Sequence, residues 1–180
     1  VKMIDLARTT YYWVPGATTI ADVSKPKLTE LTGSGDSDTT RAYNISEFVV
    51  NSTEIMAAAS DTTDERSVVA TGNARTPTIG NYSGQLNLFR DAAEEVADGA
   101  TTIWSENDLA KLFPRKGIAG FIVKRTGLPW RTPLAEDQEV EVYGFVTDTP
   151  SRSGGTQDGY LKLMIPLLPT GDFEVTAVIV

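Results

Sequence analysis

The sequence contains no cysteine and no histidine. Their absence removes disulfides, thiolate zinc sites, cysteine nucleophiles, any Ser-His-Asp triad, and the imidazole that most often serves as base or metal ligand. Most hydrolase designs go with them, and stability has to come from packing or association. Positive charge is also scarce: 16 Lys and Arg against 24 Asp and Glu leave a formal net charge of -8. That balance argues against a groove gripping phosphates through clustered basic side chains. It is compatible with a surface past which nucleic acid slides without sticking. No run approaches the roughly 20 apolar residues that span a bilayer. The N-terminal "VKMIDLARTT" lacks the apolar core of a signal peptide, so the chain reads as soluble and without a membrane partner.

What is present suits one core. With 180 residues, 41% of them hydrophobic, residues 1–180 read as a single domain. Period-two alternation dominates. "GYLKLMIPL" sets Leu161, Leu163, Ile165 and Leu167 on one face, and "FEVTAVIV" does the same with Phe173, Val175, Ala177 and Ile179 up to the last residue. "EVEVYGFV" alternates Glu139 and Glu141 with Val140 and Val142, then becomes apolar on both faces. "IAGFIVKRTG", "SGQLNLFR" and the longer "AYNISEFVVNSTEI" complete about six to eight expected strands. Near the start, "TYYWVPG" would send Tyr11 and Trp13 to one face and Tyr12 to the other, so both sides of this strand need cover.

Hairpin turns are expected at "TPSRSGGTQDG", "IGNYSG" and "LPTGDF". One helix is expected over residues 105–113, with Ser105 as N-cap, Asp108 as the capping-box acid and Pro114 as terminator. Residues 32–41, "TGSGDSDTTR", and the acidic stretch 90–102 offer little to bury and read as long mobile loops.

Constellations for chemistry are thin. Asp36 and Asp38 resemble part of a cation loop but lack the remaining ligands and a closing Glu, so a solvated loop is the commoner origin. Asp91, Glu94, Glu95 and Asp98 have no aromatic cleft to make them a glycosidase pair. Gly33 to Gly35 and Gly154-Gly155 lack the setting of a phosphate loop. No catalytic, cofactor or metal residue is assigned, and no enzyme activity is expected. Arg115, Lys116, Lys124, Arg125 and Arg131 form the one basic zone. It is read either as a polar edge or as a patch for an acidic neighbour, including a copy of the same chain.

The ordered series "DLARTTYYWVP", "VSKPKLTEL", "YSGQLNLFRDA", "GFIVKRTGLPW" and "DQEVEVYGFVTDTP" resembles the major tail proteins, or tail tube proteins, of long-tailed bacteriophages, especially those of actinobacteria. Each motif is strand and turn residues without chemistry; the order and spacing carry the likeness. The resemblance implies a mainly β, sandwich or barrel-like subunit with one short flanking α-helix and long loops. Six copies would close into a ring, and rings would stack into a tube in the virion tail, built in the bacterial cytoplasm. The tube would enclose a tape-measure protein, meet tail terminator and distal tail proteins, and conduct DNA without binding it specifically. Under that implication Tyr11, Tyr12, Trp13, Asp36, Asp38 and Arg41 are candidates for contact with other subunits, and Glu139 and Glu141 for the lumen, where acidic walls repel phosphates. A β-sandwich carbohydrate-binding or adhesin module, using Trp104 and Trp130, is the alternative.

Overall fold

The computed structural model describes residues 9–33, 42–64, 75–77, 80–92, 105, 108–153 and 160–180. The chain is mainly β. Eight of its strands form one antiparallel sheet. Its path runs β2 (Tyr43–Asn44), β1 (Thr9–Pro15), β7 (Ala119–Thr126), β8 (Glu139–Thr147), β10 (Lys162–Val178), β6 (Asn81–Phe89) and β3 (Glu54–Ala58), with β9 (Ser151–Ser153) added against β10. A separate ribbon pairs β4 (Thr62–Asp64) with β5 (Arg75–Pro77).

The two ends of this sheet are joined by one stretch of chain. Past β2, the Ile45 amide donates to Tyr11 O; a few residues on, Val50 N donates to Asn87 O and Phe89 N to Phe48 O. Residues 43–58 therefore bond to β1 at their start and to β6 at their end, which curls the sheet into a barrel-like shape. Trp13, Ile55, Leu86, Leu88, Ile122, Tyr143, Phe145 and Ile165, from strands far apart along the sheet, accordingly share one enclosed core. Phe113 reaches into it, edge-on to Trp13 at 5.0 Å between ring centroids, an arrangement worth about 1 kcal/mol beyond its buried area.

The opposite face of β1, β7 and β8 is covered too. Tyr12, Val14, Phe121, Val123, Val140 and Val142 pack under Ile20, Leu31, Leu134 and Ile179. Leu31 comes from α1 (Leu28–Thr32), a helical turn within "VSKPKLTEL" that alternation does not signal. Glu30 Oε2 accepts the Lys27 amide at its start, and Gly33, at φ +76°, ends it. The chain end is tied down as expected: Val180 N donates to Pro26 O, its carbonyl accepts Leu28 N, and Ile179 exchanges backbone bonds with Asp137 and Gln138.

Several local expectations change. "LPTGDF" is a bulge instead of a hairpin, because both halves of β10 pair with the same strand. Residues 167–169 face 147–145 and residues 173–178 face 143–139, with a register shift between. "IGNYSG" is largely the start of β6, and only the "TPSRSGGTQDG" connection joins antiparallel partners, β8 and β9 to β10. "AYNISEFVVNSTEI" is broken by a turn, since Asn44 Oδ1 accepts both the amide and the hydroxyl of Ser46. The expected α-helix over residues 105–113 is a 3-10 turn, Leu109–Leu112, with Asp108 as N-cap in place of Ser105. Asp108 is buried, salt-bridged to Arg90 at 2.7 Å while it accepts the Ala110 amide, which fixes the turn one residue before its first leucine.

Candidate assembly surface

The strand that opens the fold answers its own pattern from within the chain. Trp13 is 1% exposed and Tyr12 6%, on opposite covered faces. Tyr11 alone of the trio keeps partial exposure. It lines a groove of about 470 Å³ with Glu47 and Trp130 where the 45–50 segment crosses the end of β1.

Glu139 is exposed; Glu141 is half-buried and committed. Lys124 Nζ lies 3.1 Å from its carboxylate, and the Tyr143 hydroxyl donates to it at 2.6 Å. Burial, and then this bond to an anion, push the Tyr143 phenol above its ordinary range. Of the two lumen candidates, Glu139 is the one with a freely exposed carboxylate. Asp36, Asp38 and Arg41 lie outside the described residues, as do Trp104, Glu94, Glu95, Asp98 and residues 34–41 of the expected mobile loop.

The basic zone divides. Arg125 belongs to the interior, 1% exposed and without a carboxylate partner among the described residues. Its guanidinium donates to the carbonyls of Pro129, Thr132 and Pro133 and to Gln138 Oε1, and sits 5.7 Å from the centroid of the Tyr12 ring. Asn44 Nδ2 takes the Trp130 carbonyl, and the Tyr12 hydroxyl donates to Thr132 O. Burial raises the Tyr12 phenol, with Arg125 acting in the opposite direction. Four carbonyls of residues 129–133 are thus held by side chains, so this loop presents Leu128, Trp130 and Arg131 from a fixed frame. An arginine beside Lys124 in a strand gives no sign of this role. Arg115, Lys116 and Arg131 stay exposed.

Tyr82 is the other residue that strand patterning does not single out. Its hydroxyl donates to Gly144 O and accepts the amides of both Thr170 and Gly171, each at 2.9 Å, which satisfies the backbone that the β10 bulge leaves unpaired. A side chain at position 144 would press on Thr170 Oγ1, with the Asp172 carbonyl and the Phe121 ring close behind, so this close approach favours glycine. Past the bulge β10 leaves β6; its edge opposite β8 meets no strand among the described residues until Val178 N donates to Ser24 O and Val180 N to Pro26 O. Val175 and Val178 are exposed past the bulge, Leu168 just before it, and Met56 on the terminal strand β3. Such edges and apolar side chains are suited to pairing with another chain.

Among the described residues no group of three or more acidic side chains could hold a metal ion. No described helix is long and apolar enough to cross a membrane. A family model described as phage tail tube protein matches residues 1–180. No curated protein matches the chain.

Proposed function

The chain belongs to the phage tail tube protein family, and from that premise we propose that six copies close into a ring and that stacked rings form the bore of the tail. The family is structural, so the protein is a self-assembling component of the virion tail. The tube encloses the tape-measure protein during assembly, meets terminator and distal tail proteins at its ends, and later conducts DNA. The observation that carries this is the match over the whole chain, residues 1–180.

Physical features support it. A rotation that closes makes a ring, and a translation that does not close makes a filament. Sheet edges without a partner strand, such as the stretch of β10 between its bulge and Val178, are then paired with neighbours. The net charge of -8 suits a wall that must repel phosphates, and Glu139, exposed at the end of β8, is the better lumen candidate. Tyr11 and the loop containing Asp36, Asp38 and Arg41 are assigned to subunit contacts. Disrupting the gene in its phage tests the proposal: filled heads without tails are expected, and particles with normal tails would overturn it. Antibodies to the chain should label the tail shaft along its length.

A further inference from the structure

Among the described residues the β7–β8 pair carries opposite charge at its two ends. At the end where Ala119 faces Val146, the turn entering β7 presents Arg115 and Lys116, both exposed and neither ion-paired among the described residues. Thr147 holds this turn: its hydroxyl donates to Arg115 O and accepts the Ile118 amide, and its carbonyl accepts Gly117 N at 2.7 Å. Lys111, before the turn, and Arg152, on β9 just after β8, are exposed toward the same end. Among the described residues the acids here are Asp108, buried with Arg90, half-buried Asp91, whose amide faces Asp108 Oδ1, and Asp148, whose carboxylate accepts the Thr149 amide.

At the other end, where Lys124 faces Glu141, the turn entering β8 presents Glu136 and Asp137, again exposed. Asp137 holds φ 64°, and its amide donates to Ile179 O, so this turn is fixed as well. Among the described residues, most cations near this end are engaged or have acids beside them. Lys124 is bonded to Glu141 and Arg125 is buried. Arg131 lies over the Trp130 ring, 4.8 Å from its centroid. Lys25 and Lys27 are exposed, with Asp22 and Glu30 close to them in the chain; the Glu30 carboxylate accepts the Lys27 backbone amide.

Eight residues of β7 separate the ends by about 25 Å at roughly 3.3 Å per residue. That exceeds the Debye length of about 8 Å at physiological salt, so the two turns act on whatever adjoins each of them and not on one another. We propose that the partner is a second copy: the Arg115–Lys116 turn of one subunit docks against the Glu136–Asp137 turn of the next, a head-to-tail contact within the tube. The inference rests on the tube-forming role. Unlike surfaces meeting head to tail leave each new copy with the same free end, so the contact propagates. Matched opposite charge also fixes its direction, because like ends repel.

Charge reversal tests it on the full chain. R115E/K116E makes both ends acidic. E136K/D137N makes both ends basic, with Asn chosen because it tolerates a positive φ. Each variant, checked as folded by circular dichroism, is expected to lose at least nine-tenths of the sedimentable polymer. An equimolar mixture is expected to regain at least half, because unlike variants present opposite charge to each other. Polymer from either variant alone at the wild-type level, or no recovery on mixing, overturns the contact. If the wild-type chain makes no polymer, the tube role itself fails, and that outcome is read separately from the variants.

Discussion

The Tyr82 hydroxyl accepts the Gly171 amide at 2.9 Å across 89 residues of chain. The same oxygen serves Thr170 N and Gly144 O, so one phenol closes the gap where β10 changes register. Around it the rings of Tyr82, Tyr143, Phe145 and Phe173 fill the corner between the diverging strands. Tyr82→Phe keeps the ring and leaves three backbone groups unpaired. Thr170 and Gly171 are exposed, so water can reach their amides, while Gly144 O is buried; at about 1–3 kcal/mol for an unsatisfied buried group, stability should fall by about 1–3 kcal/mol, read as a lower urea midpoint at unchanged slope. An unchanged midpoint would show that the bulge does not depend on this oxygen.

Arg125→Lys tests the frame of the 129–133 loop. Lysine keeps the charge but cannot span four acceptors with a planar fork. The expected cost is about 2–4 kcal/mol from carbonyls left unpaired, with faster amide exchange in residues 128–133. Wild-type exchange in that loop would contradict the role given to Arg125.

Tyr11 and Trp13 should separate folding from assembly. Trp13→Ala empties a site that is 1% exposed and should cost about 3–5 kcal/mol, seen as a lower melting temperature of the monomer. Tyr11→Asp should leave the fold intact and reduce polymer yield. If Tyr11→Asp instead unfolds the subunit, Tyr11 is core and not contact surface.

Acid should loosen a second register shift of β10, the one between Glu174 and Ala177. Glu174 Oε1 accepts Val175 N, Thr176 N and the Thr176 hydroxyl; these bonds, the Thr176 amide first, hold its carboxyl below the ordinary 4.5. A depressed folded value means stability that is fully present above pH 4.5 and lost as pH falls through the folded value. Carbon-detected titration should find the Glu174 midpoint below that of a solvent-exposed Glu, and Glu174→Gln should flatten the acid side of the stability profile. A midpoint at the ordinary value would remove this contribution.

Alternation made much of the fold legible, because covered strands declare themselves by period two: β7, β8 and both halves of β10 lie within the stretches it marks. What it could not convey is how segments join. A Pro-Thr-Gly run reads as a hairpin until the partner strand is known, and here both halves share β8. The α1 turn is specified by contacts of Leu31 with a distant sheet face and by Glu30 bonding back to Lys27. The apolar demand on both sides of "TYYWVPG" was visible, but not that Ile20, Leu31 and Leu134 meet it on one side and Phe113 on the other. The basic zone looked like one patch, whereas strand direction puts Arg115 and Lys116 at one end and buries Arg125 at the other.

Cryo-electron microscopy of the purified full chain tests the tube-forming role most directly. Hollow tubes of uniform bore, resolving into stacked six-membered rings, are the predicted result. A chain that stays monomeric across concentration and salt, or that binds glycans as a monomer, would contradict it.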